Sequence, residues 1–295
     1  MKTLAQALSS KTFSITAEIP LRAYSPVSEV LARAKELWPF VDGIQVTETL
    51  QEQGQLSAVA TAAFLLSEGI DPITRLDCRD RNRRALQQDL VGLKALGVSS
   101  LILNRGNPSQ DQGALEGKPV FDVNCRDLIS MASEVGEERL HGAAREFMIG
   151  TSASVFSPKP DWKAGLLHTR AKAGARFLQT HPCFSVSMLR RYMQRLVDLR
   201  LTWNFAVIVT LAPLPGMAFA RWQLEHARGT VVPKNIAREL EAATDPEKAG
   251  IAICARQMGE IAAIPGVSGI NLLTLGNPAA VVAAIKASGL RDASE

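Results

Sequence analysis

The chain is poor in aromatic residues, sparse in cysteine and without a long apolar run, and each shortage excludes a class of protein. Only 5% of its 295 residues are aromatic, and 33 basic and 29 acidic residues are spread along it for a formal charge of +4. A nucleic-acid binder clusters its cations and interleaves them with aromatics, so no nucleic acid is expected as a partner. The small cationic excess exerts at most a mild pull on anionic small molecules. The four cysteines, Cys78, Cys125, Cys183 and Cys254, stand far apart with no CxxC. That pattern builds neither a disulfide framework nor a zinc site, and it predicts free thiols in a reducing compartment. No apolar run reaches the roughly 18 residues of a membrane span, and the opening MKTLAQALSSKTFSITAEIP is too polar for a signal peptide. A cytoplasmic protein with no membrane partner is the expectation. GxGxxG, HExxH and His/Cys clusters are missing too, which removes the fingerprint of a doubly wound dinucleotide fold and of a metal centre.

What is present is an alternation. With 46% hydrophobic and 21% charged residues the composition is that of a globular protein, and the length suits one βα barrel. Short apolar runs predict strands over 13–18, 43–47, 72–76, 100–103, 146–149, 176–179, 205–209 and 267–273. Helical patterns fall over 26–38, 53–67, 80–96, 165–173, 185–198 and 278–287; in the third of these, Leu86, Leu90, Leu93 and Leu96 recur every three or four residues. Arg81, Arg83 and Arg84 read as its solvated start, with Asp80 as the cap. Strands alternating with helices predict an α/β fold, a (β/α)8 TIM barrel in a single domain over 1–295. Two stretches exceed ordinary loops: 106–122 after the fourth strand, and 214–260, which inserts extra helices before the eighth strand. Long loops in a compact barrel serve as binding lids.

Barrels keep their chemistry at the carboxyl ends of the strands. Side by side, those ends make a polar ring: Glu18, Thr47 and Glu48, Asp77 and Arg79, Arg105 and Asn107, Thr151 and Ser152, Gln179 and His181, Thr274 and Asn277. Glu18 closes an apolar strand, between Ile15, Ala17 and Ile19-Pro20. In a partly dry mouth its pKa would rise, which suits a general acid; the competing reading is a salt bridge to Arg22 or Arg79. Asn104-Arg105-Gly106-Asn107-Pro108 and Leu275-Gly276-Asn277-Pro278 each set a glycine before a capping Asn and a Pro. Such helix starts offer N–H groups to anions, or are ordinary capped turns. His181 and Cys183 lie two residues apart, a conceivable nucleophile pair, but neighbouring side chains at a strand end diverge and a hydrogen-bonding rim role suits His181 better. His141, His168 and His226 read as surface.

From Thr16-Ala17-Glu18 to Thr274-Leu275 the chain resembles the methylenetetrahydrofolate reductase family. The resemblance is carried by CRDRNRRALQQDLVGLKALG at 78–97, the Arg105-Gly106 turn, KPVFDVNCRDL at 118–128, AGARFLQTHPCF at 173–184 and LLTLGNP at 272–278. It implies a (β/α)8 barrel that binds FAD and reduces 5,10-methylenetetrahydrofolate to 5-methyltetrahydrofolate by hydride transfer, with NAD(P)H as donor, in one-carbon metabolism and methionine biosynthesis. Glu18 then falls at the catalytic glutamate, which protonates the methylene-bridged nitrogen and opens the imidazolidine ring to an iminium. The resemblance implies cofactor contacts for Thr47, Arg105, Gly106, Asn107, Ser152 and Arg170, substrate contacts for Gln179, His181 and Asn277, and no metal. Several positions depart from the family pattern. Asn107 stands where the family often has the aspartate of RGD, His181 replaces a glutamine and Ser185 an acidic residue; Ser152 stands where some members have an aromatic, Arg75 where some have a histidine and Asn277 where some have an arginine. These departures keep two alternatives open on the same barrel: a flavin-free tetrahydrofolate-dependent methyl or one-carbon transferase, and a folate- or flavin-binding partner subunit. The partners implied are a tetrahydrofolate derivative and, for the chain itself, a homo-oligomer or a partner subunit.

Overall fold

A computed structural model describes residues 3–47, 54–106, 118–138, 146–226, 230 and 232–291. Glu48, Asn107, His141 and the side chain of His226 lie outside the described residues. Eight parallel strands close in chain order: β1 Ser14–Pro20, β2 Gly43–Thr47, β3 Pro72–Asp77, β4 Ser100–Asn104, β5 Met148–Ala153, β6 Phe177–Thr180, β7 Ala206–Leu211 and β8 Val267–Leu273, which pairs back onto β1. The helices are α1 Leu4–Ser9, α2 Val27–Leu37, α3 Ala58–Ser67, α4 Arg83–Leu96, α5 Cys125–Glu137, α6 Gly165–Ala173, α7 Val186–Asp198, α8 Met217–His226, α9 Lys234–Ala242, α10 Pro246–Ala262 and α11 Pro278–Ser288. This is the expected (β/α)8 TIM barrel, and α8 and α9, ahead of the crossover helix α10, are the extra helices expected before the eighth strand. Among the described residues no helix is long and apolar enough to cross a membrane.

The strand period of two decides which side chains fill which space. One set, including Ile15, Ala17, Ile44, Val46, Leu101, Leu103, Leu178, Val207, Val209, Ile270 and Leu272, packs outward against the helices in the main core. The alternate set faces the lumen. At the amino end of the strands, Ile73, Ile102, Phe177 and Ile208 meet Leu4 of α1 in a separate apolar cluster that plugs the barrel. Gly150 belongs to this layer because a Cβ there would stand 2.2 Å from the Phe177 ring. Asp71 anchors the plug, accepting from Leu4 N at 3.0 Å and from Ser99 Oγ at 3.0 Å, and burial pushes its carboxyl up to about 6.

Four local expectations are corrected. Asn82, not Asp80, caps α4: its Oδ1 accepts from Ala85 N at 2.9 Å, while Asp80 holds Arg79 at 2.6 Å. The helix starts at Arg83, later than the apolar pattern suggested, which puts Asn82 in the capping position. Helices α1 and α5 were not foreseen, the first too short to show a period, the second hidden behind the long 106–122 stretch. The fifth strand runs Met148–Ala153 rather than over 146–149, because its last residues are polar and broke the apolar run.

Candidate active site

Glu18 sits on β1 in register with Gln45 of β2 and Leu273 of β8. Gln45, itself 1% exposed, donates from Nε2 to Glu18 Oε2 at 3.0 Å and to Thr47 Oγ1 at 3.2 Å. Behind them Thr16 Oγ1 donates to Asn271 Oδ1 at 2.9 Å, which turns the Asn271 amide nitrogen toward the same carboxylate. Burial pushes the Glu18 carboxyl above its ordinary range, and the opposing pull of Arg75, Thr47 and Asn271 does not cancel it. The acting cation is Arg75, itself clasped by Asp77 at 3.1 and 2.9 Å. The reading of a salt bridge to Arg22 or Arg79 is therefore corrected: Arg22 lies over Gly276, where a Cβ would meet its guanidinium, and Arg79 is buried against Asp80. Glu18 is a half-buried carboxyl whose pKa is raised by burial, so its neutral, proton-carrying form is favoured more than it is in water.

Across the rim, β4, β5 and β6 end in a second group. Asn104 Oδ1 accepts from Ser152 N at 2.9 Å and its Nδ2 donates to Ser152 Oγ at 3.1 Å. Arg170 reaches from α6 to donate to Ser152 O at 2.8 Å, and its buried Nε has no protein acceptor among the described residues. Ser152, Phe156, Trp162, Arg170 and His181 border a cleft of about 340 Å³. Phe156 stands edge-on to Trp162 at 5.1 Å and to Tyr192 at 5.5 Å. Arg105 lies over the Phe121 ring at 4.9 Å, and Gly106 adopts φ +81° where a Cβ would stand 2.8 Å from Arg79 Cβ. Only glycine lets that turn press against the neighbouring one.

The remaining ring residues separate. Gln179 is buried at the end of β6, and His181 donates its backbone N–H to Ala153 O at 2.9 Å in the wall of the cleft. Thr151 is buried beside Cys125 of α5, its hydroxyl 3.8 Å from the thiol, on the helix side of the sheet. Thr274 donates to Glu18 O at 2.9 Å and fastens β8 to β1. Asn277 caps α11, accepting from Ala280 N at 3.1 Å, and gives its amide to Glu247 Oε1 at 2.7 Å. Asn277 is thus occupied in a helix cap at the surface, and Ser185 likewise caps α7. Cys183 is buried, its thiol pushed up to about 11, and it is no nucleophile for His181. All four cysteines are buried and unpaired.

Sequence reasoning missed Gln45 and Asn271, and it missed the aromatic trio. Both amides occupy lumen positions in otherwise apolar strands, and a strict period of two in GIQVT and GINLL marks them. The aromatics come from a loop and from α7, where strand-end reasoning does not look.

A closed βα barrel with an acid in its mouth and a basic, aromatic cleft beside it defines a (β/α)8 barrel protein whose candidate site lies at the carboxyl ends of the strands. The chain belongs to the methylenetetrahydrofolate reductase family, whose sequence pattern matches residues 3–289. No curated protein matches it significantly. Among solved structures it is similar to an uncharacterized protein from Clostridium thermocellum that binds two copies of 5-methyl-5,6,7,8-tetrahydrofolic acid (TM-score 0.65, 13% identity, covering 96% of each chain). It is also similar to DmoA from Hyphomicrobium sulfonivorans (TM-score 0.55, 9% identity, covering 93% of this chain and 86% of that one). A third likeness is to ligand-free tryptophan synthase from M. tuberculosis (TM-score 0.53, 12% identity, covering 97% and 96%). At these identities the likenesses establish the barrel and nothing finer.

Proposed function

We propose that this chain is a cytoplasmic, flavin-dependent reductase of 5,10-methylenetetrahydrofolate, with NAD(P)H as donor and Glu18 as the general acid. The observation that carries the reading is the Glu18 carboxyl: half-buried at the mouth, raised in pKa by burial and hydrogen-bonded by the Gln45 amide. A general acid works best when its pKa lies near the operating pH. The folate bound by the Clostridium thermocellum barrel supports a tetrahydrofolate derivative as ligand.

The residues fit FAD. Arg170 keeps a buried Nε without a protein acceptor, the donor a diphosphate needs, and the cleft beside Ser152 is lined by aromatic faces that suit flat rings. Arg170, Ser152 and the Arg105-Gly106 turn would hold the cofactor, with Thr47 at its substrate side. A bound FAD supplies hydride, taken from NAD(P)H, to the folate carbon. The protein's part is to give the Glu18 proton to the methylene-bridged nitrogen, so that the C–N bond breaks, its electron pair stays on that nitrogen, and an iminium remains on the other. Gln179 and His181 are proposed to contact the pterin. Asn277, engaged as a cap, is the weakest of the proposed substrate contacts.

Two measurements test this. Purified protein should show a flavin absorbance band, or acquire one on incubation with FAD. Glu18→Gln should keep that band and lose folate reduction; an active Glu18→Gln enzyme removes the mechanism. Ser152, where some family members have an aromatic, favours the second reading, a flavin-free tetrahydrofolate-dependent methyl transferase. Protein that cannot be loaded with flavin yet binds tetrahydrofolate would select that reading.

A further inference from the structure

The lumen beneath Glu18 holds more polar side chains than a barrel core requires. Gln45 Nε2 is the hub. One of its N–H bonds goes to Glu18 Oε2 and the other to Thr47 Oγ1. Both donors are thereby used, and both point to the mouth. Its Oε1, buried in the lumen, meets no protein donor. An amide placed for structure would be turned to satisfy both ends, since a buried unpaired acceptor is unfavourable. This one is turned so that only the nitrogen end is used. The reverse orientation would set amide oxygen against carboxyl oxygen.

An amide N–H can only donate. Glu18 Oε2 must therefore accept in both protonation states, and when the carboxyl is neutral its proton resides on Oε1. Thr47 does not impose this choice, because a hydroxyl rotates to donate or accept as the proton requires. Asn271 is the weaker influence: its Oδ1 is taken by Thr16, and its buried Nδ2, which lies toward the carboxylate and helps hold its pKa down, closes no hydrogen bond of ordinary geometry. The charged groups facing Glu18 among the described residues are Arg75 and, paired to it, Asp77. Neither distinguishes the two oxygens by a direct bond.

We infer that Gln45 is a positioning residue that commits Glu18 Oε2 to accepting and so places the transferable proton on Oε1. The inference rests on the reading of Glu18 as the acid, and it adds that the acid is one-sided by construction. Gln45 touches no reacting atom and acts through Glu18 alone.

The test uses the full chain without substrate, so that its outcome does not depend on turnover. The Glu18 titration is followed by carboxyl infrared or 13C resonance, with Glu18→Gln as the blank. Removing a donor that favours the charged form should move the Glu18 midpoint in Gln45→Met upward by about one pH unit. The melting temperature is recorded alongside, because the substitution removes two hydrogen bonds to Glu18 and Thr47 together with an unpaired buried acceptor, and only the Glu18 midpoint decides the inference. A Glu18 midpoint unchanged in Gln45→Met overturns the inference. Should that variant not fold, the unaltered chain still decides: the Gln45 side-chain N–H resonances must shift with the Glu18 titration and lose that shift in Glu18→Gln. Resonances indifferent to Glu18 overturn it as well. The two readings fail separately. An active Glu18→Gln enzyme sinks the reductase mechanism and leaves the titration result standing, whereas an inactive one with an unmoved Gln45→Met midpoint sinks the positioning role alone.

Discussion

The two ends of one lumen are built from the same strands to opposite specifications. At the amino end, Ile73, Ile102, Phe177 and Ile208 close on Leu4 in an apolar plug, with Asp71 and its partner Ser99 as a polar anchor at the edge. At the carboxyl end, Thr16, Glu18, Gln45, Thr47, Arg75, Asp77 and Asn271 crowd the same bore. Each end holds a carboxyl raised by burial, Asp71 below and Glu18 above, but their surroundings differ. Asp71 has both oxygens occupied by donors, from Leu4 and Ser99, and is a finished structural joint. Glu18 leaves one side toward the mouth. If Glu18 is the acid proposed above, what separates it from a joint such as Asp71 is its partial opening to the mouth rather than its raised pKa.

The sharpest way to break this comparison is to substitute at each end and read both stability and turnover. Glu18→Gln should lower folate reduction by about 10²–10⁴-fold, the usual worth of a general acid. Its melting temperature should hold or rise above neutral pH, because the raised carboxyl burdens the fold once ionised. Leu4→Ala should do the reverse, losing about 2–5 kcal/mol of stability from the fully buried plug while the folded fraction keeps its turnover. Loss of specific activity in folded Leu4→Ala, or of stability in Glu18→Gln, would mean that the two ends are not separable.

Asp71 offers a finer test through pH. Its folded carboxyl titrates at about 6 against an ordinary 3.8, so the folded state binds the extra proton. The contribution is fully present below the unfolded value and is lost as pH rises through about 6; it amounts to on the order of 3 kcal/mol. Urea unfolding between pH 4 and 7 should show wild-type stability falling relative to Asp71→Asn over that window. Parallel profiles would assign the proton elsewhere.

The sequence made the outward half of this architecture legible and the inward half obscure. Outward residues of the strands are mostly apolar, Thr151 being an exception, so the runs stood out and the closed eight-stranded order followed. Inward residues obey no single chemistry: apolar at the plug, amides and charges at the mouth. Gln45 inside GIQVT and Asn271 inside GINLL therefore looked like interruptions rather than a network. Glu18 was readable because it ended its run. Its partners were not, since which residue faces it across β1 and β2 depends on register, Glu18 opposite Gln45, that no single strand contains. The cleft at β5 and β6 stayed hidden for another reason. Phe156, Trp162 and Tyr192 meet only when a loop folds back over α7.

The smallest effect concerns the start of α4, where Asp80 was expected as the cap and Asn82 holds that position. Both can cap a helix, but a cap must precede the first helical turn, and Arg79 claims the Asp80 carboxylate first. Asn82 Oδ1 accepts from Ala85 N in the capping position. Asn82→Ala should therefore destabilise the protein by about 1 kcal/mol, and Asp80→Ala by less, since an exposed cap outweighs a half-exposed ion pair. Chemical denaturation of the two variants measures the difference directly. Equal losses would mean that the Arg79–Asp80 pair supports the start of α4 as much as the cap does, and that the mouth and the helix layer are coupled at this corner after all.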